Sequence, residues 1–206
     1  MKTNVLLVCF LLVSVIATKT FANYTYTITE YQGLGQLSAT DSMLITENGG
    51  GGVVTLSDYS YLKIERTSNL ERGIGGVWHI SLTGHSVLYM IGGQVNQLDI
   101  NNDATAILRG GRIDHIYSYQ WVPTSGRDGE PIPYIKLYYS GDEPEWDPIT
   151  NILTGTWGDG SSFTIQLHDV PSYSPAISNI DLILIPEPTT ILLLGIGGLA
   201  LRRKQR

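Results

Sequence analysis

The sequence predicts an all-β fold, a short parallel β-solenoid (right-handed β-helix) with all-β caps, from three observations. Gly-Gly recurs at Gly75-Gly76, Gly92-Gly93 and Gly110-Gly111, at spacings of 17 and 18 residues. Around each pair apolar and polar residues alternate, the period of a strand with one buried face. No window carries a 3.6-residue apolar pattern, so helices are not expected to form the core.

The first element is a leader. Lys2 opens a short charged region, Val5 to Ala17 is a thirteen-residue apolar stretch, and Thr20-Phe21-Ala22 places small residues where a cleavage site needs them. Residues 1–22 therefore read as a secretory signal peptide, removed by signal peptidase after Ala22. Cys9, the only cysteine, lies inside the apolar stretch, which argues against a lipoprotein. It leaves with the leader, so the exported domain has neither a disulfide nor a cysteine metal site.

Residues 23–48 form the expected N-terminal β cap, because Tyr24 to Glu30 alternates Tyr and Thr with other residues. The solenoid is assigned to 49–122. The four glycines Gly49 to Gly52 begin an early copy, 24 residues before the next, with the excess of Arg66 to Glu71 placed in a loop. Val54 and Leu56 follow the first corner, Trp78, Ile80 and Leu82 the second, Val95, Leu98 and Ile100 the third, Ile113 and Ile116 the fourth. Before the corners, Leu88 and Met90 match Ala106 and Leu108. Turn formers separate the strands at Ser57-Asp58, Thr83-Gly84-His85-Ser86 and Asn101-Asn102-Asp103. Such a unit is too short for a propeller blade of roughly 40 to 45 residues, and alone it buries almost nothing, so the units must stack. Val95 and Ile113 are expected one above the other in a parallel ladder, with Trp78 continuing the inward column. An antiparallel β-sandwich built from the same strands is the alternative. It gives no reason for the glycine spacing to repeat.

After Trp121 the rhythm changes to a proline-punctuated segment containing Pro123, Pro131, Pro133, Pro144 and Pro148. Residues 123–185 make the C-terminal β cap. Within it Ile152 to Trp157 and Phe163 to Leu167 flank Gly158-Asp159-Gly160-Ser161-Ser162, a strong hairpin signal.

Charge excludes one class of partner. Residues 23–185 hold seven Lys/Arg and eighteen Asp/Glu, a formal charge of −11 against −6 for the whole chain. Such a domain repels phosphate backbones, so nucleic acid is not expected as a partner.

Catalytic constellations are weak. Asp99, Asp103, Arg109, Arg112, Asp114 and His115 are the candidates for a site along one face. Neighbouring strands stand roughly 4.8 Å apart, so a carboxylate pair of glycosidase geometry, roughly 5 to 10 Å apart, is possible. Ordinary salt bridges between neighbouring strands explain the same residues. His79, His85, His115 and His168 have no metalloprotease spacing, and Asp99 to Asp103 matches only half of a calcium loop. Gly49 to Gly52 lacks the Lys-Ser/Thr of a phosphate loop. No cofactor and no metal are therefore expected, and the catalytic set is none. Tyr59, Tyr61, Tyr89, Tyr117 and Tyr119 fall on or beside the repeats, where outward rings can stack on sugars or on another protein. Tyr is also a favoured strand residue for packing reasons alone.

The last twenty-one residues, 186–206, have a distinct order. Pro186-Glu187-Pro188 and two threonines precede an eleven-residue apolar run, Ile191 to Leu201, closed by Arg202, Arg203 and Lys204. A helix crossing the hydrocarbon core takes roughly 20 residues; Leu182 to Ile185 lengthens the run to a marginal span interrupted by Pro-Glu-Pro, a transient membrane anchor whose basic end stays cytoplasmic. This order resembles the PEP-CTERM sorting tail of Gram-negative bacterial envelope proteins. The resemblance implies an exosortase as partner, reading Pro186, Glu187 and Pro188 and removing the tail. Leu-Thr-Gly-Thr-x-x-Asp-Gly at 153–160, followed by Asp-Leu-Ile-Leu at 181–184, also resembles the end of repetitive β-helical proteins of that kind. An ordinary tail anchor is the plainer alternative.

The expectation is thus an exported, non-enzymatic surface or extracellular-matrix protein. It is anchored at the membrane in transit, then held at the cell surface or released. The family resemblance adds association with exopolysaccharide in biofilms. The alternative is a polysaccharide-processing β-helix enzyme, a lyase or hydrolase.

Overall fold

A computed structural model describes residues 24–32, 41–65, 76–101, 103–119 and 134–186. The expected leader, the loop Arg66 to Glu71, and Glu187 to Arg206 lie outside the described residues. Within them the fold is all-β apart from one 3-10 turn, Ala176–Asn179.

The strands are β1 Tyr26–Ile28, β2 Tyr31–Gln32, β3 Ser42–Ile45, β4 Gly50–Leu56 and β5 Tyr61–Ile64. Then come β6 Gly76–Leu82, β7 Val87–Met90, β8 Gln94–Asn101, β9 Thr105–Leu108 and β10 Arg112–Tyr119. The C-terminal part adds β11 Tyr134–Tyr139, β12 Glu145–Asp147, β13 Ile152–Thr156, β14 Ser162–Asp169 and β15 Ile180–Leu184.

They sort into two sheets, in the orders β1-β3-β5-β7-β9-β11-β15 and β12-β13-β14-β10-β8-β6-β4-β2. Every pair in the first sheet is parallel. In the second sheet β2 through β10 and on to β14 pair in parallel, and only β12–β13 and β13–β14 are antiparallel. From β1 to β10 successive strands alternate between the sheets, so each repeat unit supplies one strand to each. Val77, Val95 and Ile113 stand in register as expected from the glycine spacing. The parallel ladders also run beyond residues 49–122 in both directions, from β1 to β15.

Register explains the core. Val54, Ile80, Leu98 and Ile116 form one inward column, and Leu62, Leu88, Ala106, Leu108 and Leu137 face them from the other sheet, all at 0 % exposure. Trp78 is not in the inward column; it is 44 % exposed, and Val77 takes the buried place. Strands β4, β6, β8 and β10 of the second sheet carry two outward residues in succession between buried ones, as in Val77-Trp78-His79-Ile80 and Val95-Asn96-Gln97-Leu98, whereas β14 alternates strictly. Counting by twos back from Ile80 therefore lands on the wrong face. The step falls at the same register position in all four strands, so the outward columns stay aligned.

Glycine is required at the corner. Gly111 has φ 98°, and a Cβ there would stand 2.6 Å from the Gly93 carbonyl oxygen of the neighbouring corner. The C-terminal hairpin forms as expected, with Thr156 opposite Ser162. It buries Trp157 against Phe163, ring centroids 4.5 Å apart.

Candidate functional site

Parallel register turns single outward residues into columns. On the outer face of the second sheet, His79, Gln97, His115 and Gln166 occupy one column, and Ser81, Asp99, Tyr117 and His168 the next. The side chains bond across them. His79 Nε2 lies 3.0 Å from Asp99 Oδ2, and Gln97 Nε2 donates to Asp99 Oδ1 at 2.9 Å. His115 Nδ1 and His168 Nε2 are 3.0 Å apart, and the His168 ring stacks on Tyr117 at 4.1 Å with the two planes nearly parallel. Burial, reinforced by His115, pushes the His168 imidazole below its ordinary pKa, with Asp169 opposing. At the end of the face Tyr119 meets Tyr173 edge-on at 5.6 Å. Burial raises the Tyr119 phenol, and Asp99 adds to the rise.

A cleft of about 660 Å³ opens where the glycine corners of β8 and β10 meet the hairpin, lined by Arg112, Asp114, Asp159, Ser161, Thr164 and Gln166 among others. Arg112 Nε donates to Asp114 Oδ1 at 2.7 Å. Asp159 Oδ1 accepts from the Ser161 amide at 3.0 Å and hydroxyl at 2.6 Å. Each carboxylate in the cleft is thus engaged by a donor.

The six sequence candidates do not assemble into one site. Asp99 belongs to the outer face with His79, and Asp103 sits at a turn, 3.3 Å from His85. Arg109 belongs to the other sheet, where it donates to the Tyr89 hydroxyl at 3.2 Å and lies 4.4 Å over the Tyr138 ring. Arg112 and Asp114 line the cleft, and His115 pairs with His168. Among the described residues no group of three or more His, Cys, Asp or Glu could hold a metal ion.

The tyrosines divide likewise. Tyr59 is 73 % exposed and stacks on His85 at 5.0 Å. Tyr61 stacks on Tyr24 at 6.3 Å in the first sheet, and burial raises its phenol, with Tyr24 and Tyr89 adding to the shift. Tyr117 and Tyr119 face outward from the second sheet. Sequence reasoning missed the His115–His168 pair, since 53 residues separate them. It also treated Asp159 only as a turn residue; no local signal placed it in the same cleft as Asp114.

The sorting segment begins where the sheet stops, and Leu182 to Ile185, expected to lengthen the membrane span, instead bond to β11 as β15 and the residue after it. The Ile185 amide donates to the Tyr139 carbonyl at 2.8 Å, and exposed Pro186 follows at once. Glu187 and Pro188 lie outside the described residues, as does Ala22. No helix among the described residues is long and apolar enough to cross a membrane; the apolar run Ile191 to Leu201, expected as a transmembrane helix, was not among them.

A family model for the PEP-CTERM protein-sorting motif matches residues 184–205. No curated protein and no solved structure matches the chain. The motif marks an exported, cell-surface or extracellular protein, sorted by exosortase through its C-terminal tail after a membrane-transit stage.

Proposed function

We propose that this PEP-CTERM chain is a non-enzymatic surface or matrix protein. Its exported part is a short parallel β-solenoid, released from its leader by signal peptidase after Ala22 and held transiently by residues 186–206. The observation that carries this is the continuous parallel ladder from β1 to β15, whose last strand residue, Leu184, is also the first residue of the motif match. A rigid stack presenting side-chain columns is a scaffold for surface contact. The right hand is the one expected for parallel strands joined by crossovers. Exopolysaccharide is the proposed ligand. Tyr117 with His168, and exposed Trp78, offer flat rings on the outer face, while Gln97 and Asp99 offer hydrogen-bonding groups beside them.

A polysaccharide lyase or hydrolase on the same frame is the alternative, and one observation favours it: Asp114 and Asp159 share a cleft. Incubating the mature domain with common polysaccharides, with and without calcium, separates the two. No turnover is expected. Turnover that vanished on Asp99→Asn, Asp103→Asn, Asp114→Asn or Asp159→Asn would overturn the structural role, because the amide keeps the shape and removes the proton chemistry.

A further inference from the structure

We infer that the C-terminal end of the stack is a membrane-contact foot, formed by Trp146, Ile149 and Leu184, that seats the domain on a neutral lipid surface while the tail holds it there. The inference rests on the tethering through residues 186–206 proposed above. Strands β12 and β15 are the terminal strands of the two sheets, and the pairing order puts both at the same end.

The turn after β12 is built to display an apolar side chain. Asp147 Oδ1 accepts from the Ile149 amide at 2.8 Å, and Oδ2 accepts from the Thr150 hydroxyl at 2.7 Å. The Trp146 indole donates to Asn151 Oδ1 at 2.9 Å, and Asn151 takes a left-handed φ of 56°. Ile149 is 92 % exposed on this fixed turn, with Trp146 at 41 % beside it. Leu184, at 53 % exposure, ends β15. Isolated exposed apolar residues are ordinary. An isoleucine held outward by four hydrogen-bonding or backbone devices, with a tryptophan next to it, matches the side chains that settle at a bilayer interface.

Tether length names the occupant. From Ile185, the last of the described residues bonded to the sheet, to Ile191, where the apolar run starts, is six residues. Fully extended these span at most about 20 Å, so an inserted tail keeps the end of the stack close to the headgroups. Three side chains bind lipid weakly when free, but a tether makes the contact intramolecular and a weak contact becomes sufficient. Asp142, Glu143, Glu145 and Asp147 flank the same hairpin, so the surface must be zwitterionic; an anionic one repels it.

The test uses the full chain with Cys9→Ser and one new cysteine, Ile149→Cys or, as the reference, Tyr59→Cys, each carrying an environment-sensitive fluorophore. The chains are reconstituted with phosphatidylcholine vesicles containing a nitroxide lipid. Blue-shifted emission quenched by the nitroxide is expected at position 149 and not at 59, with the difference reduced in vesicles rich in phosphatidylglycerol. A chain that fails to float with the vesicles overturns the tethering and the foot with it. A chain that floats while both labels report water overturns the foot alone, as does a label at 149 shielded only by a second protein.

Discussion

The indole nitrogen of Trp157 donates a hydrogen bond to the carbonyl oxygen of Gly111, 2.8 Å away and 46 residues earlier in the chain. It latches the C-terminal hairpin to the last glycine corner, and Trp157 is the largest fully buried side chain among the described residues. Trp157→Ala should lower stability by about 3–5 kcal/mol through loss of contacts and a residual cavity. Trp157→Phe retains much of the ring and should cost about 1–3 kcal/mol for the buried carbonyl bond it removes. Urea unfolding of the three proteins checks both values.

Ile113, at 1 % exposure, stacks on Val95. Ile113→Asp puts an unpaired charge into that column and should cost at least several kcal/mol. Val53 of β4 stands in the outward column of His79 and Gln97 and is 45 % exposed, so Val53→Asp should stay within about 0.5 kcal/mol of the parent. Equal midpoint shifts for the two variants in thermal denaturation would contradict the register.

Gly111 and Gly141 both have positive φ, 98° and 73°, but a Cβ meets the backbone only at Gly111; at Gly141 nothing lies within 4 Å. Gly141→Ala should cost about 1 kcal/mol for the left-handed backbone. Gly111→Ala should cost more, because the clash adds to that strain. Chemical denaturation of the pair isolates the crowding.

Acid should weaken the join between β10 and β14. The His168 pKa is lowered in the folded state, so below the unfolded value of about 6.5 the unfolded chain takes up a proton that the folded chain resists. Stability is therefore full above about pH 6.5 and falls as pH drops through that value toward the folded pKa. Removing the group by His168→Gln should flatten this part of the profile, as measured by denaturation midpoints across the acidic range.

Sorting should depend on the motif and not on the domain. In a host with an exosortase, the mature protein should begin at Asn23 and lack the residues beyond the Pro186 to Pro188 region. Replacing Pro186 and Pro188 with Ala should leave the tail attached and the chain in the membrane fraction. Intact mass and fractionation report both, and parent protein from that host still ending at Arg206 would refute the sorting.

The ladder was legible in the sequence because its signals are local. Gly92-Gly93 and Gly110-Gly111 each mark one corner, and alternation fixes the face between them. The hairpin around Gly158 to Ser162 was legible for the same reason. Trp78 was misplaced because two consecutive outward residues reset the alternation, and apolar identity alone does not say which of Val77 and Trp78 is inside. The candidate site was much less legible. Arg109 and Arg112 are three apart in sequence, yet the intervening corner sends them to different sheets, while His115 and His168 meet only because β14 adds to β10. The exposed Ile149 carries no pattern at all; its setting comes from Asp147 and Asn151, which the sequence offers simply as turn residues.

The terminal place of β15 has a mechanical consequence. Load entering through the tail arrives first at the Ile185–Tyr139 hydrogen bond and then at Leu184, the free corner of the sheet. A pull along the stacking direction breaks the β15–β11 bonds one after another, as a zipper opens, instead of loading them together in shear. Five strand residues released in this way lengthen the tether by roughly 17 Å at about 3.3 Å each. The strand next to the sorting motif is therefore a compliant spring in series with a stiff body, and it yields before β11 and the strands beneath it carry the force.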